Sequence, residues 1–273
     1  MKAVAKILLP MTGFDRDFSA LSTAFGVAGL FGSHVETLFA HPDPQAPLLI
    51  GVPVAPLLLE SMVAGQEAFA REAEKSARGM LANMPKNTAS SFRSEVGPLS
   101  GAIVRRGRLC DLAVFPSMRA PGFVDVIDAF LTALVRVQCP VVVAPEVSCE
   151  FSLRAIAVAW DGSRSAARAV MCAVPLLKRA DKVFVLSVAE AHVRAPVDGL
   201  EQYLSLHGIK IVRKSSRLGP PSVGDMLAQG VVDLRADLLV MGGYGHSHLR
   251  EAFFGGVTAD VLARSPVPVF LAH

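Results

Sequence analysis

The chain runs twice through the same order of elements, and this repeat constrains its fold more than any single motif does. The first half opens on the apolar run Ala5–Leu9 and the second on Arg154–Trp160. A polar turn and an apolar-striped helix follow each run, Phe18–Phe31 and Ser163–Leu177. Then comes a second strand, His34–Ala40 and Lys182–Val188. Further on, Ser94-Glu95-Val96-Gly97-Pro98 answers Ser216-Arg217-Leu218-Gly219-Pro220. Asp111-Leu112-Ala113-Val114 answers Asp237-Leu238-Leu239-Val240, and Cys139-Pro140-Val141-Val142-Val143 answers Val267-Pro268-Val269-Phe270-Leu271. The stretch Pro145–Ser152 breaks the apolar pattern and marks the join, so the expected domains are residues 1–148 and 152–273.

Each half alternates strands with helices and ends on a strand. Short apolar runs between amphipathic helices imply parallel strands buried on both faces. Right-handed crossovers then wind helices onto both sides of the sheet. The expected fold is α/β, with two tandem doubly wound, Rossmann-like parallel sheets. Ligands of such sheets gather at the carboxyl ends of the strands, where the strand order reverses.

Composition fits this picture. With 52% hydrophobic and 19% charged residues among 273, the chain can bury a large core. A net charge of +3, without a block of lysine or arginine, gives no indication of a nucleic-acid surface. The apolar part of Met1–Pro10 is too short for a signal peptide, and Pro10 cuts it. No apolar run reaches membrane-spanning length; the longest candidate, Ala46–Leu59, contains Pro47, Pro53 and Pro56. Cys110, Cys139, Cys149 and Cys172 show no C-x-x-C spacing and fit reduced thiols rather than a zinc site. A cytoplasmic location follows as the expectation, with no nucleic-acid and no membrane partner.

The chemistry concentrates near the C-terminus. Ala236–Met241 runs straight into Gly242-Gly243-Tyr244-Gly245-His246-Ser247-His248. Gly255-Gly256-Val257-Thr258 then opens a second helix-like stretch. Glycines allow amide N–H groups close to phosphate oxygens, and a helix N-terminus adds partial positive charge. Nucleotide binding is therefore the first hypothesis.

Residues 236–273 resemble the universal stress protein family, whose nucleotide-binding members share G-x-x-G, nine residues, then Gly followed by Ser or Thr. Gly242, Gly245 and Gly255 fall on the three glycines, while Gly256 stands where the family has its hydroxyl. The repeat makes the whole chain resemble a tandem member with two such domains, of the adenine-nucleotide alpha-hydrolase-like kind. The resemblance implies ATP or AMP as ligand, with magnesium as an optional companion. It implies a phosphate cradle from Gly242, Gly243, Gly245, Gly255, Gly256 and Val257, with His246 at its edge. Thr258, on the same helix turn, is the candidate substitute for the missing hydroxyl. Asp161 falls where the family places an acidic residue near base or ribose; the alternative is a helix N-cap, which Ser163 could provide equally well. Val188 and Ala189 match the strand end whose backbone holds adenine. Single domains of the family pair into dimers, and a duplicated chain can make that pairing internally through its two last strands. A further homodimer and a protein partner remain open.

The first half looks emptied. Val114–Gly122 has no paired glycines, and Pro116 and Pro121 each remove a backbone donor. Ile127-Asp128 stands in place of the later glycine pair, and Thr12 in place of Asp161. This half is expected to keep the fold without binding a nucleotide. Its apolar connection, residues 46–59, suits packing against the rest of the chain or docking of a partner.

Other residues carry weaker signals. His246 and His248 lack further ligands at telling spacing for zinc. His248 and Arg250 suit a solvated face, Tyr244 a cover over the ligand, and Trp160 the border of the site. Val257, Val261 and Leu262 suit core packing, as do Leu227, Val231 and Leu234. No G-x-x-x-x-G-K-[ST] loop, G-x-S-x-G elbow or H-E-x-x-H motif is present. The expectation is a nucleotide-binding sensor or regulatory module. The alternatives are an interaction scaffold using residues 46–59 and a slow ATPase.

Overall fold

The structure is a computed structural model that describes residues 3–41, 43, 56–118, 124–189, 197–217, 222–243 and 256–273. Ten strands in these residues form one sheet: β1 (Lys6–Met11), β2 (His34–His41), β3 (Ser90–Val96), β4 (Leu112–Phe115), β5 (Val141–Val143), β6 (Ala155–Ala159), β7 (Lys182–Ala189), β8 (Ile211–Arg217), β9 (Leu238–Gly242) and β10 (Val269–Ala272). Their order is β3-β2-β1-β4-β5-β10-β9-β6-β7-β8. Each half therefore has the same doubly wound order, reversing between its first and fourth strands. Pairings within each half are parallel. The halves join through their last strands, which pair antiparallel with Val269 opposite Val143, Phe270 opposite Val142 and Leu271 opposite Val141.

The helices described are α1 (Asp17–Phe31), α2 (Pro56–Ala82), α3 (Leu99–Gly107), α4 (Val124–Leu131), α5 (Arg164–Leu177), α6 (Asp198–Leu206), α7 (Val223–Asp233) and α8 (Val257–Arg264). A widened π turn, Thr132–Arg136, extends α4. Alternate residues along each strand point to opposite faces, and this alternation sorts the core into two layers. Ile7, Leu9, Val142, Val158 and Phe270 join α1 and α5 in one layer. Leu8, Val141, Val143, Leu239 and Leu271 belong to the other, with side chains of α3, α4, α7 and α8. Both layers run from one half into the other.

The repeat extends to individual hydrogen bonds. The Asp111 carboxylate accepts from Ala5 N at 2.8 Å and Lys6 N at 2.9 Å, tying the start of β1 to the start of β4. Asp237 does the same for β6, accepting from Ala155 N at 2.9 Å. Gly13 and Gly162, in the turns after β1 and β6, share a left-handed backbone with φ of 83° and 77°. Glycine adopts this conformation without steric cost.

Several elements differ from the sequence reading. Pro10 lies inside β1, where it pairs with Leu38 of β2. The ladder to β4 covers only Ile7 and Leu8, so the missing N–H of Pro10 falls where β1 needs no second donor. Helix α2 begins at Pro56, so the last four residues of the apolar 46–59 segment form its first turn. Proline suits that position because a first-turn N–H lacks an intrahelical partner anyway. Residues 46–55 lie outside the described residues. Val257 does not join Val261 and Leu262 in the core: it is 38% exposed, against 0% and 8% for the other two.

Candidate functional site

The crevice of the second half lies where β6 and β9 run side by side. Beyond β6 the chain passes through Trp160-Asp161-Gly162-Ser163 into α5. Trp160 N donates to Leu186 O at 2.9 Å, prolonging the ladder to β7, and its side chain packs half-buried on the core. The choice between Asp161 and Ser163 as helix cap is settled by hydrogen bonds. Ser163 Oγ accepts from Ala166 N at 3.2 Å, capping α5. Asp161 stays exposed, one carboxylate oxygen accepting from Ser163 N at 2.8 Å. An anionic side chain thus stands at the mouth of the crevice without serving as the cap.

Gly242 and Gly243 end β9. A Cβ on Gly242 would lie 2.6 Å from both Ala166 N and Ser165 Oγ, at the start of α5. A Cβ on Gly243 would lie 2.9 Å from Leu134 Cδ2, which belongs to the first half. Close packing alone therefore demands glycine at Gly242, whatever the ligand. The Gly243 peptide is held on both sides: its N–H donates to Ala272 O at 3.0 Å, and its carbonyl lies 3.0 Å from His273 Nδ1. Sequence reasoning missed His273. Its only signal is its place beyond β10, which runs parallel to β9.

Gly256 is the N-cap of α8, with φ of 149°, a region that side chains disfavour. As a glycine it has no side chain to accept a hydrogen bond at this cap, unlike Ser163 at α5. The position that carries a hydroxyl in the resembling family thus has a backbone conformation suited to glycine. Val257 and Thr258 occupy the first turn of α8. Val188 and Ala189 end β7, paired with Ser216 and Arg217. Tyr244, Gly245, His246, His248, Arg250 and Gly255 lie outside the described residues. Among the described residues, no group of three His, Cys, Asp or Glu side chains could hold a metal ion, and no helix is long and apolar enough to cross a membrane.

The matching end of the first half is arranged differently. Asp17, fully buried at the start of α1, accepts from Thr12 N and Gly13 N, both at 2.7 Å, and from Thr12 Oγ1 at 2.9 Å. Burial pushes its carboxyl up to about 6, against the opposing pull of those hydrogen bonds and of Arg16. Helix α2 lies directly over the turn, since a Cβ on Gly13 would come within 2.5 Å of Ala73 O. Phe14 also meets Phe69 of α2, with ring centroids 6.0 Å apart. One sequence correspondence needs correction: Ile127 and Asp128 sit inside α4, so they are not the counterparts of Gly256, which precedes α8. Pro121 lies outside the described residues.

Residues 201–273 match the universal stress protein family. The likeness covers the stretch from α6 to β10. A universal stress protein from Archaeoglobus fulgidus DSM 4304 aligns over 99% of this chain and 96% of its own at 17% identity, with a TM-score of 0.69. A protein of unknown function from Pseudomonas aeruginosa PAO1 aligns over 99% and 93% at 16% identity, with a TM-score of 0.55. These two likenesses extend the shared fold across both halves. A universal stress protein in complex with cAMP aligns over 44% of this chain and 96% of its own at 25% identity, with a TM-score of 0.36. No curated protein matches the chain.

Proposed function

We propose that the C-terminal half, residues 152–273, is a universal stress protein domain that binds one adenine nucleotide, ATP or AMP, and that the chain serves as a stress-response sensor or regulatory module. The observation that carries this reading is the contrast between the equivalent turns after β1 and β6. After β1, the buried Asp17 carboxylate takes the amides of Thr12 and Gly13. After β6, Asp161 stays exposed and Ser163 caps the helix; beyond β9, α8 starts at Gly256, which has no side chain to cap it. Amides at a bare helix start, reached through glycines, suit the phosphates of a nucleotide. Gly242, Gly243, Gly245, Gly255, Gly256 and Val257 supply the cradle, with Thr258 and His246 beside it. Asp161 and the Val188 backbone address ribose and adenine. A magnesium ion, where one accompanies ATP, would neutralise phosphate charge. The N-terminal half contributes fold and no second site. The sequence offers no phosphate-loop lysine and no group to orient an attacking water, which favours binding over hydrolysis.

Calorimetry with ATP and with AMP tests this. The expected result is one site per chain, with affinity falling roughly ten-fold or more in Asp161→Ala, the loss of one hydrogen bond to a charged group. Absence of heat with both ligands at millimolar concentration, or two sites per chain, would refute it.

A further inference from the structure

Cys110 and Cys139 are far apart in sequence, yet their sulfurs lie 3.1 Å from each other. Cys110 lies two residues before β4 and Cys139 two residues before the neighbouring β5, so the parallel pairing of Ala113 with Val141 brings the two thiols together. The backbone on both sides is pinned. Cys139 N donates to Ala133 O at 3.0 Å, and Ala113 N donates to Pro140 O at 2.9 Å. Both cysteines are free thiols. A disulfide requires about 2 Å between sulfurs, so closing the bond needs a shift of about 1 Å.

We propose that Cys110 and Cys139 form a redox-active dithiol that a peroxide converts into an intramolecular disulfide. The environments differ in a way that assigns the two roles. Cys110 is part-exposed and meets the oxidant, whereas Cys139 is only 4% exposed. The hydrogen bond with Cys110 and then burial raise the pKa of Cys139, keeping it a thiol until its neighbour reacts. The Cys110 sulfur attacks one peroxide oxygen. The O–O bond breaks, an S–O bond forms, and the thiol proton leaves on the other oxygen as water. The Cys139 sulfur then attacks the sulfenic sulfur. The S–S bond forms as the S–O bond breaks, and the Cys139 proton departs with the hydroxyl as a second water. Two electrons from the thiol pair have reduced one peroxide to two waters. A low-molecular-weight dithiol reverses the change by exchange, becoming a disulfide itself. The pair lies at the amino ends of β4 and β5, whereas the candidate nucleotide site lies at carboxyl ends of strands. The dithiol therefore does not depend on the nucleotide reading.

The test is peptide mapping of the reduced full chain after treatment with hydrogen peroxide. The expected result is a Cys110–Cys139 linked peptide, with free thiols falling from the four in the sequence to two and returning to four with dithiothreitol. In Cys139→Ser the linked peptide is lost and Cys110 is labelled by a sulfenic-acid trap. Two results on the wild-type chain would overturn the proposal without relying on any variant folding. One is thiol loss with no 110–139 linkage. The other is oxidation of Cys149 or Cys172 while Cys110 and Cys139 both remain open to alkylation.

Discussion

Replacing Asp17 by Asn isolates a conflict between two terms that the fold sets against each other. Burial raises the carboxyl, while three hydrogen bonds and Arg16 lower it; burial wins, taking the group from 3.8 to about 6. At about 1.4 kcal/mol per pH unit, that difference corresponds to about 3 kcal/mol between the protonation states. Because the folded value lies above the unfolded one, the native chain retains a proton between pH 3.8 and about 6 that the unfolded chain has released. Stability from this group is thus fully present below the unfolded value and is lost as pH rises through the folded one. The assay is urea unfolding followed by circular dichroism at a series of pH values from about 4 to about 7.5, on wild type and Asp17→Asn, spanning the titration window. Subtracting the two curves cancels the other carboxylates. The variant lacks the titration, so wild type should lose about 2.4 kcal/mol relative to it between the ends of the series, at up to about 1.2 kcal/mol per pH unit. A constant offset between variants is compatible with this, because the Asn amide places donors where the carboxylate accepts. A flat difference, or one that grows in favour of wild type with rising pH, would show that the hydrogen bonds outweigh burial and refute the reasoning.

Other perturbations read different joints of the structure. Gly242→Ala drives a Cβ to within 2.6 Å of Ala166 N, and should cost about 1–3 kcal/mol in urea unfolding; an unchanged midpoint would mean that the end of β9 can move away from α5. Asp237→Ala should cost about 1–2 kcal/mol, because its side chain is only 15% exposed while it holds Ala155 N. Asp111→Ala, at an exposed version of the same bond, should cost less than about 1 kcal/mol, and the reverse order of the two would contradict the account of these bonds. Gly256→Ala imposes a side chain at φ of 149°, and should lower stability by about 1–3 kcal/mol. In calorimetry it should also weaken ATP binding; tighter binding would argue against the bare helix start as the phosphate seat.

The strand alternation was legible because parallel strands covered on both faces must be apolar throughout, so runs such as Leu238–Met241 stand out against amphipathic helices. The repeat then supplied the topology twice over. What stayed hidden came from contacts between distant segments. Asp161 and Ser163 are both good capping residues two positions apart, and only the direction of the Ala166 N–H chooses between them. Gly242 is visible as a glycine, but its steric reason lies across the sheet in α5. Asp17 reads as one more polar residue in a turn until α2 is laid over Gly13. Cys110 and Cys139 carry no spacing signal at all, because strand pairing, not sequence distance, brings them together. Pro56, which reads as a break, is a helix start.

The same physical requirement explains why the two halves can share a fold and still differ in chemistry. At a reversal point of a doubly wound sheet, turns and helix starts leave backbone donors without partners, and a buried donor without an acceptor costs about 1–3 kcal/mol. The first half meets that demand internally, by burying Asp17 under α2 at the cost of a raised carboxyl pKa. The second half meets it at the equivalent turn with Ser163, and begins α8 at Gly256, which has no side chain of its own to act as acceptor. The halves are not independent in this respect. Leu134 of the first half packs on Gly243, and the antiparallel β5–β10 pair fixes the strand beside it. On the nucleotide reading, the half that closed its own strand end thereby became part of the scaffold that positions the glycine segment of the other.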